Sequence, residues 1–145
     1  MARILLIEPD YILARSYYEA LSQAGHQVIP AAGAQTALLV ADDIKPELII
    51  LELQLVEHSG VEFLYEFRSY PDWQRLPVIL HTQVPPAEFN QSRQLLKQLN
   101  IQTYLYKPQT TLRALVAAVD RQLAVDQTDQ PQAAGRRQKQ RMTAA

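Results

Sequence analysis

The sequence predicts an α/β domain built on a five-stranded parallel sheet with helices on both faces. Five short apolar runs alternate with segments of helical periodicity. Two of these runs, residues 4–7 and 48–51, are apolar throughout, which is typical of strands buried on both faces. Strands separated by helices pair in parallel through right-handed crossovers, so the helices cover both sides. We therefore predict a doubly wound (βα)5 architecture.

The first half of the chain shows two such units. After the strand at 4–7, a helix follows in which Gly25 stands at the position of a C-terminal glycine. The apolar face of this helix consists of Leu13, Tyr17, Leu21 and Ala24. Residues 26–31 predict a weaker strand, in which Pro30 indicates an edge position or the strand end. The apolar face of a second helix consists of Ala37, Leu38, Ala41 and Ile44. The strand at 48–51 follows this helix.

The second half repeats the pattern. Ser59 and Glu62 have capping-box spacing and open a helix whose apolar face is Phe63, Leu64 and Phe67. Residues 77–80 predict the fourth strand, and Pro85-Pro86 open a helix to about Leu99. A fifth strand spans 101–106, and Thr110 or Thr111 caps the last helix. In the loop at 71–76, Trp73 either covers the core or anchors a partner.

Composition excludes several function classes. The 145 residues contain no Cys and three His, which excludes disulfides, Cys-based metal sites and thiol catalysis and disfavours a His-rich metal site. The net charge of −1 is too small to create an electrostatic field over the whole molecule that would attract nucleic acid or a membrane surface. No apolar run approaches the roughly 18 residues of a membrane span or forms a signal peptide, so we expect a cytoplasmic protein.

The chain divides near residue 125. Residues 1–124 form the predicted domain, and residues 125–145 lose all periodicity and read as a disordered basic tail. The tail either meets an anionic partner or is simply a solvated terminus. Too few residues follow 124 for a helix-turn-helix, so we expect no sequence-specific nucleic-acid binding.

A small set of residues, polar except for Pro9, follows the predicted strands at the edge where an open α/β sheet binds its ligands. Four strand ends contribute them: Glu8, Pro9 and Asp10; Glu52; Thr82; and Tyr104 with Lys107. The turn after the first strand has no glycine and is acidic, which argues against a phosphate-cradling, flavodoxin-like ligand site.

Four segments resemble, in order and spacing, the receiver domain of bacterial two-component response regulators: residues 4–8, 46–55 with 59–60, 77–82 and 104–108. The resemblance covers residues 2 to about 124 and implies the strand order 2-1-3-4-5. It also implies phosphorylation of an Asp at the position of Glu52. Mg²⁺ would be held by that Asp, by an acidic residue at the position of Pro9 and by the carbonyl of Gln54.

Two departures stand at that site. Glu52 is one methylene longer than the expected Asp, and Pro9 supplies no metal ligand. The resemblance therefore implies a pseudo-receiver, without enzymatic activity, without a cofactor and with Mg²⁺ binding lost or weak. Asp10 is interpreted as a helix cap rather than a ligand.

The remaining site residues have two interpretations each. Lys107, expected to pair with Glu52 at a partly buried rim at the edge of solvent, either mimics the phosphorylated state or replaces the metal as structural support. Thr82 and Tyr104 are remnants of the family's switch or ordinary strand residues, and Glu8 bonds at the rim or pairs with Lys107. His81 is interpreted as a packed or half-exposed strand residue rather than a phosphohistidine.

The leading functional hypothesis is a signalling module that binds a protein without phosphotransfer. The face of the fourth helix, fifth strand and fifth helix would meet a histidine kinase, another signalling protein such as a second receiver, or a second copy in a homodimer. The alternative is a stand-alone receiver still phosphorylated in a histidine-kinase phosphorelay. The third hypothesis is a flavodoxin-like protein that binds a small ligand.

Overall fold

The computed structural model describes residues 1–89 and 93–126. The strands are β1 (Arg3–Ile7), β2 (Gln27–Ala31), β3 (Leu48–Leu51), β4 (Val78–Thr82) and β5 (Thr103–Tyr106). The helices are α1 (Tyr11–Gln23), α2 (Ala34–Ile44), α3 (Gly60–Ser69), α4 (Arg93–Gln98) and α5 (112–126), with 3₁₀ turns at Pro71–Trp73 and Lys107–Gln109. Residues 125 and 126, assigned above to the tail, are helical, and the rest of the predicted tail lies outside the described residues.

All strands pair in parallel in the order β2-β1-β3-β4-β5, which confirms the predicted fold class and strand order. In the centre of the sheet Ile7 pairs with Leu51, and at its far side Thr82 pairs with Tyr106. The ends of β1, β3, β4 and β5 therefore open on one edge. Pro30 lies on the edge strand β2, where its missing N–H costs no ladder bond.

The core has one layer on each face of the sheet. Alternate strand residues such as Leu5 and Ile49 face one cluster, which includes residues of α2 and α3. Their neighbours Leu6 and Ile50 face the other, which includes residues of α1 and α5. Trp73 is buried and stacks on Phe67 at 5.4 Å, so it covers the core. None of the helices in the described residues is long and apolar enough to cross a bilayer.

The predicted caps position the loops at the ligand edge. Asp10 caps α1 by accepting a hydrogen bond from the Leu13 amide at 3.0 Å. Ser59 caps α3 in the same way through the Glu62 amide at 3.1 Å, and Thr111 caps α5. At the opposite edge, Gly25 ends α1 with φ of 95°, a conformation that glycine adopts without strain.

The prediction for the fourth helix is wrong at its start. Residues 86–89 form a turn, in which the Glu88 amide donates to the Pro85 carbonyl and the Phe89 amide donates to the Pro86 carbonyl, whereas Arg93–Gln98 is helical. A proline disfavours the α conformation in the residue before it, so consecutive prolines do not start a regular helix. The fifth strand also starts later than predicted, because the Ile101 amide bonds back to Leu96.

Gly60 is tightly packed against the strand end that carries Glu52. A Cβ atom at Gly60 would lie 2.7 Å from the Leu53 Cα and 2.9 Å from the Glu52 carbonyl oxygen, both backbone atoms. We expect Gly60→Ala to lower the free energy of unfolding by about 1–3 kcal/mol, the range for overpacking. Gly33→Ala, where a Cβ meets nothing within 4 Å, is the control and should cost less than about 1 kcal/mol in urea unfolding. Equal losses in the two variants would contradict the proposed clash.

Candidate functional site

Four side chains from different strand ends meet at the ligand edge: Glu8 after β1, Glu52 after β3, Thr82 at the end of β4 and Lys107 after β5. All are buried, with Glu8 5% and Glu52 4% exposed and the Lys107 side chain 7% exposed. The parallel sheet produces this convergence because its strands end at a common edge.

The Glu52 carboxylate accepts hydrogen bonds at both oxygens. Its Oε1 accepts from Lys107 Nζ at 2.8 Å and from the Gln83 amide at 3.2 Å. Its Oε2 accepts from the Gln54 amide at 3.1 Å and from the Thr82 hydroxyl. The backbone donors at 54 and 83 are contributions that side-chain patterns in the sequence could not indicate.

Lys107 joins the two carboxylates. Its ammonium donates to Glu8 Oε1 and to Glu52 Oε1, and it lies 5.9 Å from the centre of the Tyr17 ring. The pair of Glu52 with Lys107, expected at a partly buried rim, is present with side chains 4% and 7% exposed, and Glu8 also pairs with Lys107, which was one of its two predicted positions. Side-chain burial here depends on how the loops close over the strand ends, which sequence periodicity does not encode.

The surroundings shift the pKa of each charged group. Burial raises the pKa of Glu8 despite its bond to Lys107. Burial alone would raise the pKa of Glu52, but hydrogen bonds from Lys107, Thr82 and the Gln54 amide outweigh the effect of burial. The pKa of Glu52 is therefore lowered from its usual value. Burial lowers the pKa of Lys107, and its two carboxylate partners more than reverse this. Glu52 and Lys107 are therefore held as ions, and Glu8 is the carboxyl that protonates more readily.

Pro9 and Asp10 do not add ligands to the cluster. The Asp10 carboxylate caps α1, while its backbone amide donates to Glu8 Oε2 at 3.1 Å. Pro9 lies between them and has no polar side-chain atom.

The residues present do not fit the Mg²⁺ that the resemblance implies. Both oxygens of Glu8 and both oxygens of Glu52 already accept hydrogen bonds from protein donors. Mg²⁺ requires near-octahedral oxygen ligands, including one or two carboxylates. Within residues 1–89 and 93–126, no group of three or more acidic or histidine side chains is arranged to hold a metal ion.

A chain of hydrogen bonds leads from Glu52 to the edge strand. The Thr82 hydroxyl donates to Glu52 and accepts from the Val84 amide at 3.1 Å. The Val84 carbonyl accepts from the Tyr104 hydroxyl at 2.6 Å. The structure thus connects the predicted switch residues Thr82 and Tyr104 through Val84, a residue that the sequence did not single out.

An aromatic pair lies beside the charged cluster. His81 is buried, the first of its two expected placements, and meets the Tyr17 ring edge-on at 4.7 Å. Burial, with the nearby Lys107 ammonium, lowers the pKa of His81 to about 4. The imidazole is therefore neutral at physiological pH, and it was not assigned a place near the cluster from the sequence.

Comparison with known proteins identifies the family. The response regulator receiver domain matches residues 4–120, most of the described chain. The chain belongs to this family. Receiver domains are generally signalling modules rather than enzymes, and their partners are signalling proteins.

Curated relatives share only part of their length with this receiver. It is 36% identical over 80 residues to the KDP operon transcriptional regulatory protein KdpE of Escherichia coli, covering 55% of this chain and 34% of the relative. It is 26% identical over 136 residues to KdpE of Mycobacterium tuberculosis, covering 89% of this chain and 59% of the relative. The chain thus spans about a third to three fifths of these two regulators.

Solved structures confirm the fold. The chemotaxis response regulator CheY4 of Vibrio cholerae superposes with a TM-score of 0.74 at 23% identity, over 84% of this chain and 98% of that one. A receiver domain protein from Methanospirillum hungatei gives a TM-score of 0.78 at 20% identity, over 89% of this chain and 98% of that one.

The buried cluster predicts unequal costs for its members. Lys107→Met leaves two buried carboxylates without a counter-charge and should lower the free energy of unfolding by about 3–5 kcal/mol. Glu52→Gln should cost less, since Lys107 keeps Glu8 as a partner.

Urea unfolding of the two single variants and of the double variant checks this. The double variant should cost less than the sum of the single changes, because the residues are in direct contact. Glu19→Gln, in the exposed Arg15–Glu19 pair, is the control and should change stability by about 1 kcal/mol at most. Strict additivity for Glu52 and Lys107 would contradict the coupling.

The lowered pKa of His81 predicts acid sensitivity. Between pH 6.5 and about 4 the unfolded histidine binds a proton that the folded one does not, so the free energy of unfolding falls as the pH falls. The slope from this group approaches about 1.4 kcal/mol per pH unit.

Urea unfolding from pH 7 to 4 should therefore show a shallower decline for His81→Phe than for the wild type. Tyr17→Phe keeps the imidazole and the ring contact, and it should retain the wild-type slope. If the slope is the same with and without His81, the imidazole does not carry this sensitivity.

Proposed function

We propose that this receiver domain signals through protein contacts without phosphotransfer, with the Glu52 carboxylate standing in for a phosphorylated aspartate. One observation carries the proposal: a single buried carboxylate accepts from both the Thr82 hydroxyl and the Lys107 ammonium. The family resemblance assigns these two side chains to sensing the phosphoryl group. Here a permanent negative charge already engages both.

The same arrangement disfavours phosphorylation of Glu52. An attacking carboxylate needs a free oxygen aligned with the phosphodonor, and both Glu52 oxygens are already engaged. The extra methylene displaces those oxygens from the aspartate position, and an error of about 1 Å in such a site can cost about 100-fold in rate. Without a divalent ion the incoming phosphoryl charge would also have only Lys107, already shared by Glu8 and Glu52, as a counter-charge.

The link to Tyr104 favours a signalling role over structural support alone. Structural support requires only the contacts of Lys107 with the two carboxylates. The bonds from Thr82 through Val84 to Tyr104 extend the influence of Glu52 to the edge strand β5. A lost Glu52 charge should therefore be felt on the face formed by α4, β5 and α5.

That face is where we propose that a partner binds. Strand β5 is half-buried along its length, and Leu112 at the start of α5 is exposed. A histidine kinase, another signalling protein or a second copy of the chain fits this role. The proposed setting is the cytoplasm, with no nucleic acid or membrane as partner.

A small-molecule phosphodonor tests the proposal. Incubation with acetyl phosphate and Mg²⁺ should add no phosphoryl mass to the wild-type protein, and a beryllofluoride complex should leave its amide spectrum unchanged. Glu52→Asp should also remain unphosphorylated, because Pro9 and Lys107 still leave no metal site. A stable phosphoryl adduct on the wild type would establish the alternative, a receiver that still works in a phosphorelay.

The conformational part has its own test. Glu52→Gln should shift the amide signals of Thr82, Val84 and Tyr104, because it removes the charge that holds the chain of hydrogen bonds. Glu66→Gln, on the exposed side of α3, is the matched control and should leave them in place. If Glu52→Gln stays folded and Tyr104 does not respond, Glu52 is structural support only.

A further inference from the structure

The position of Lys107 has a consequence beyond the proposed function. Its Nζ donates to one carboxylate from the end of β1 and to one from the end of β3, the paired central strands. The charged atom therefore lies between the two buried acids at the ligand edge. Any other cation that bridges them must first displace it.

The electrostatics of the cluster require a cation. Two carboxylates share one buried site, and like charges in a poorly solvated site disfavour joint ionisation. A bridging positive charge relieves this repulsion. An ammonium also donates directed hydrogen bonds, and here it satisfies one oxygen of each carboxylate.

The other oxygens are satisfied by two backbone amides and the Thr82 hydroxyl. Glu8 Oε2 accepts from the Asp10 amide, and Glu52 Oε2 accepts from the Gln54 amide and the Thr82 hydroxyl. The protein itself therefore completes the coordination of both carboxylates. A metal ion entering this site would have to break bonds that are already made.

We propose that the Lys107 ammonium is the resident cation of this site, in place of a divalent metal, and that it excludes the metal by its position between Glu8 and Glu52. Pro9 removes one ligand, but Lys107 occupies the bridging position. The proposal rests on the geometry of the cluster and not on the proposed signalling role. A protein that signals by another route would still have this cation.

Removing the ammonium separates the two explanations. In Lys107→Ala the two carboxylates remain at the ends of β1 and β3, and the Oε1 atom of each loses its bond to the ammonium. If Lys107 is what excludes metal, this variant gains divalent affinity although Pro9 is unchanged. If Pro9 is the block, Lys107→Ala gains nothing.

The experiment measures metal binding directly on the purified chain. Mn²⁺ is titrated while paramagnetic broadening of the amide signals of residues 8–10, 52–54 and 82–83 is followed, and melting is recorded in millimolar Mg²⁺ and in chelator. The wild type should show neither saturable broadening at these positions nor a change in melting temperature. Lys107→Ala should show both, because a ligand that binds only the folded state raises its stability.

Controls keep the result decisive. Lys97→Ala removes an exposed lysine of α4 and should behave as the wild type does. If Lys107→Ala is unfolded in chelator, refolding by Mg²⁺ supports the proposal, and Lys107→Gln provides a neutral variant that keeps a hydrogen-bond donor. The proposal is overturned by saturable broadening in the wild type, or by its absence in both neutral variants. Neither outcome depends on phosphorylation, so failure here is distinguishable from failure of the proposed function.

Discussion

The bridge from Lys107 to two carboxylates on the central strands is the contact on which the ligand edge depends. Glu8 and Glu52 follow β1 and β3, which are paired and fully buried along their apolar residues. Their charges cannot move into solvent without distorting the sheet. A buried ion pair adds little net stability compared with apolar packing, but loss of one partner leaves a costly isolated charge. The loops that surround the cluster must therefore place hydrogen-bond donors at its carboxylate oxygens.

The loops at this edge donate backbone hydrogen bonds to the two carboxylates. The amides of Asp10, Gln54 and Gln83 all point at carboxylate oxygens, and each belongs to the loop that follows a different strand. Gly60 lies against the backbone of one of these loops because α3 begins within contact of the Glu52 carbonyl. The charge of the cluster therefore sets the conformation of the edge, and the packing of α3 supports it.

The fold was predictable from the sequence, whereas the site was predictable only in its membership. Apolar runs at residues 4–7 and 48–51 are periodic signals, and caps such as Asp10 are local ones, so both could be recognised without tertiary information. Consecutive prolines are not a reliable signal for a helix start, because the second holds the first away from the α conformation, and residues 86–89 form a turn.

The extent of burial at the edge, and the choice between the two positions predicted for Glu8, could not be decided in that way. Both depend on the distance between side chains that are 99 residues apart for Glu8 and Lys107 and 55 apart for Glu52 and Lys107. The same holds for Val84, which connects Thr82 with Tyr104 only through its backbone atoms. Backbone donors carry no residue-type signal, so no pattern of side chains indicates them.

The two departures from the family, Glu52 and Pro9, are physically coupled in this arrangement. An aspartate at position 52 with Pro9 in place would leave a shorter carboxylate and no full ligand set for a divalent ion. A glutamate with a complete metal site would crowd an ion against Lys107. The longer side chain instead reaches the Lys107 ammonium, the Thr82 hydroxyl and two backbone amides at once. Protein donors thus occupy the carboxylate oxygens that would otherwise bind a metal ion. In the proposed arrangement Pro9 therefore removes only a ligand that the cluster does not use.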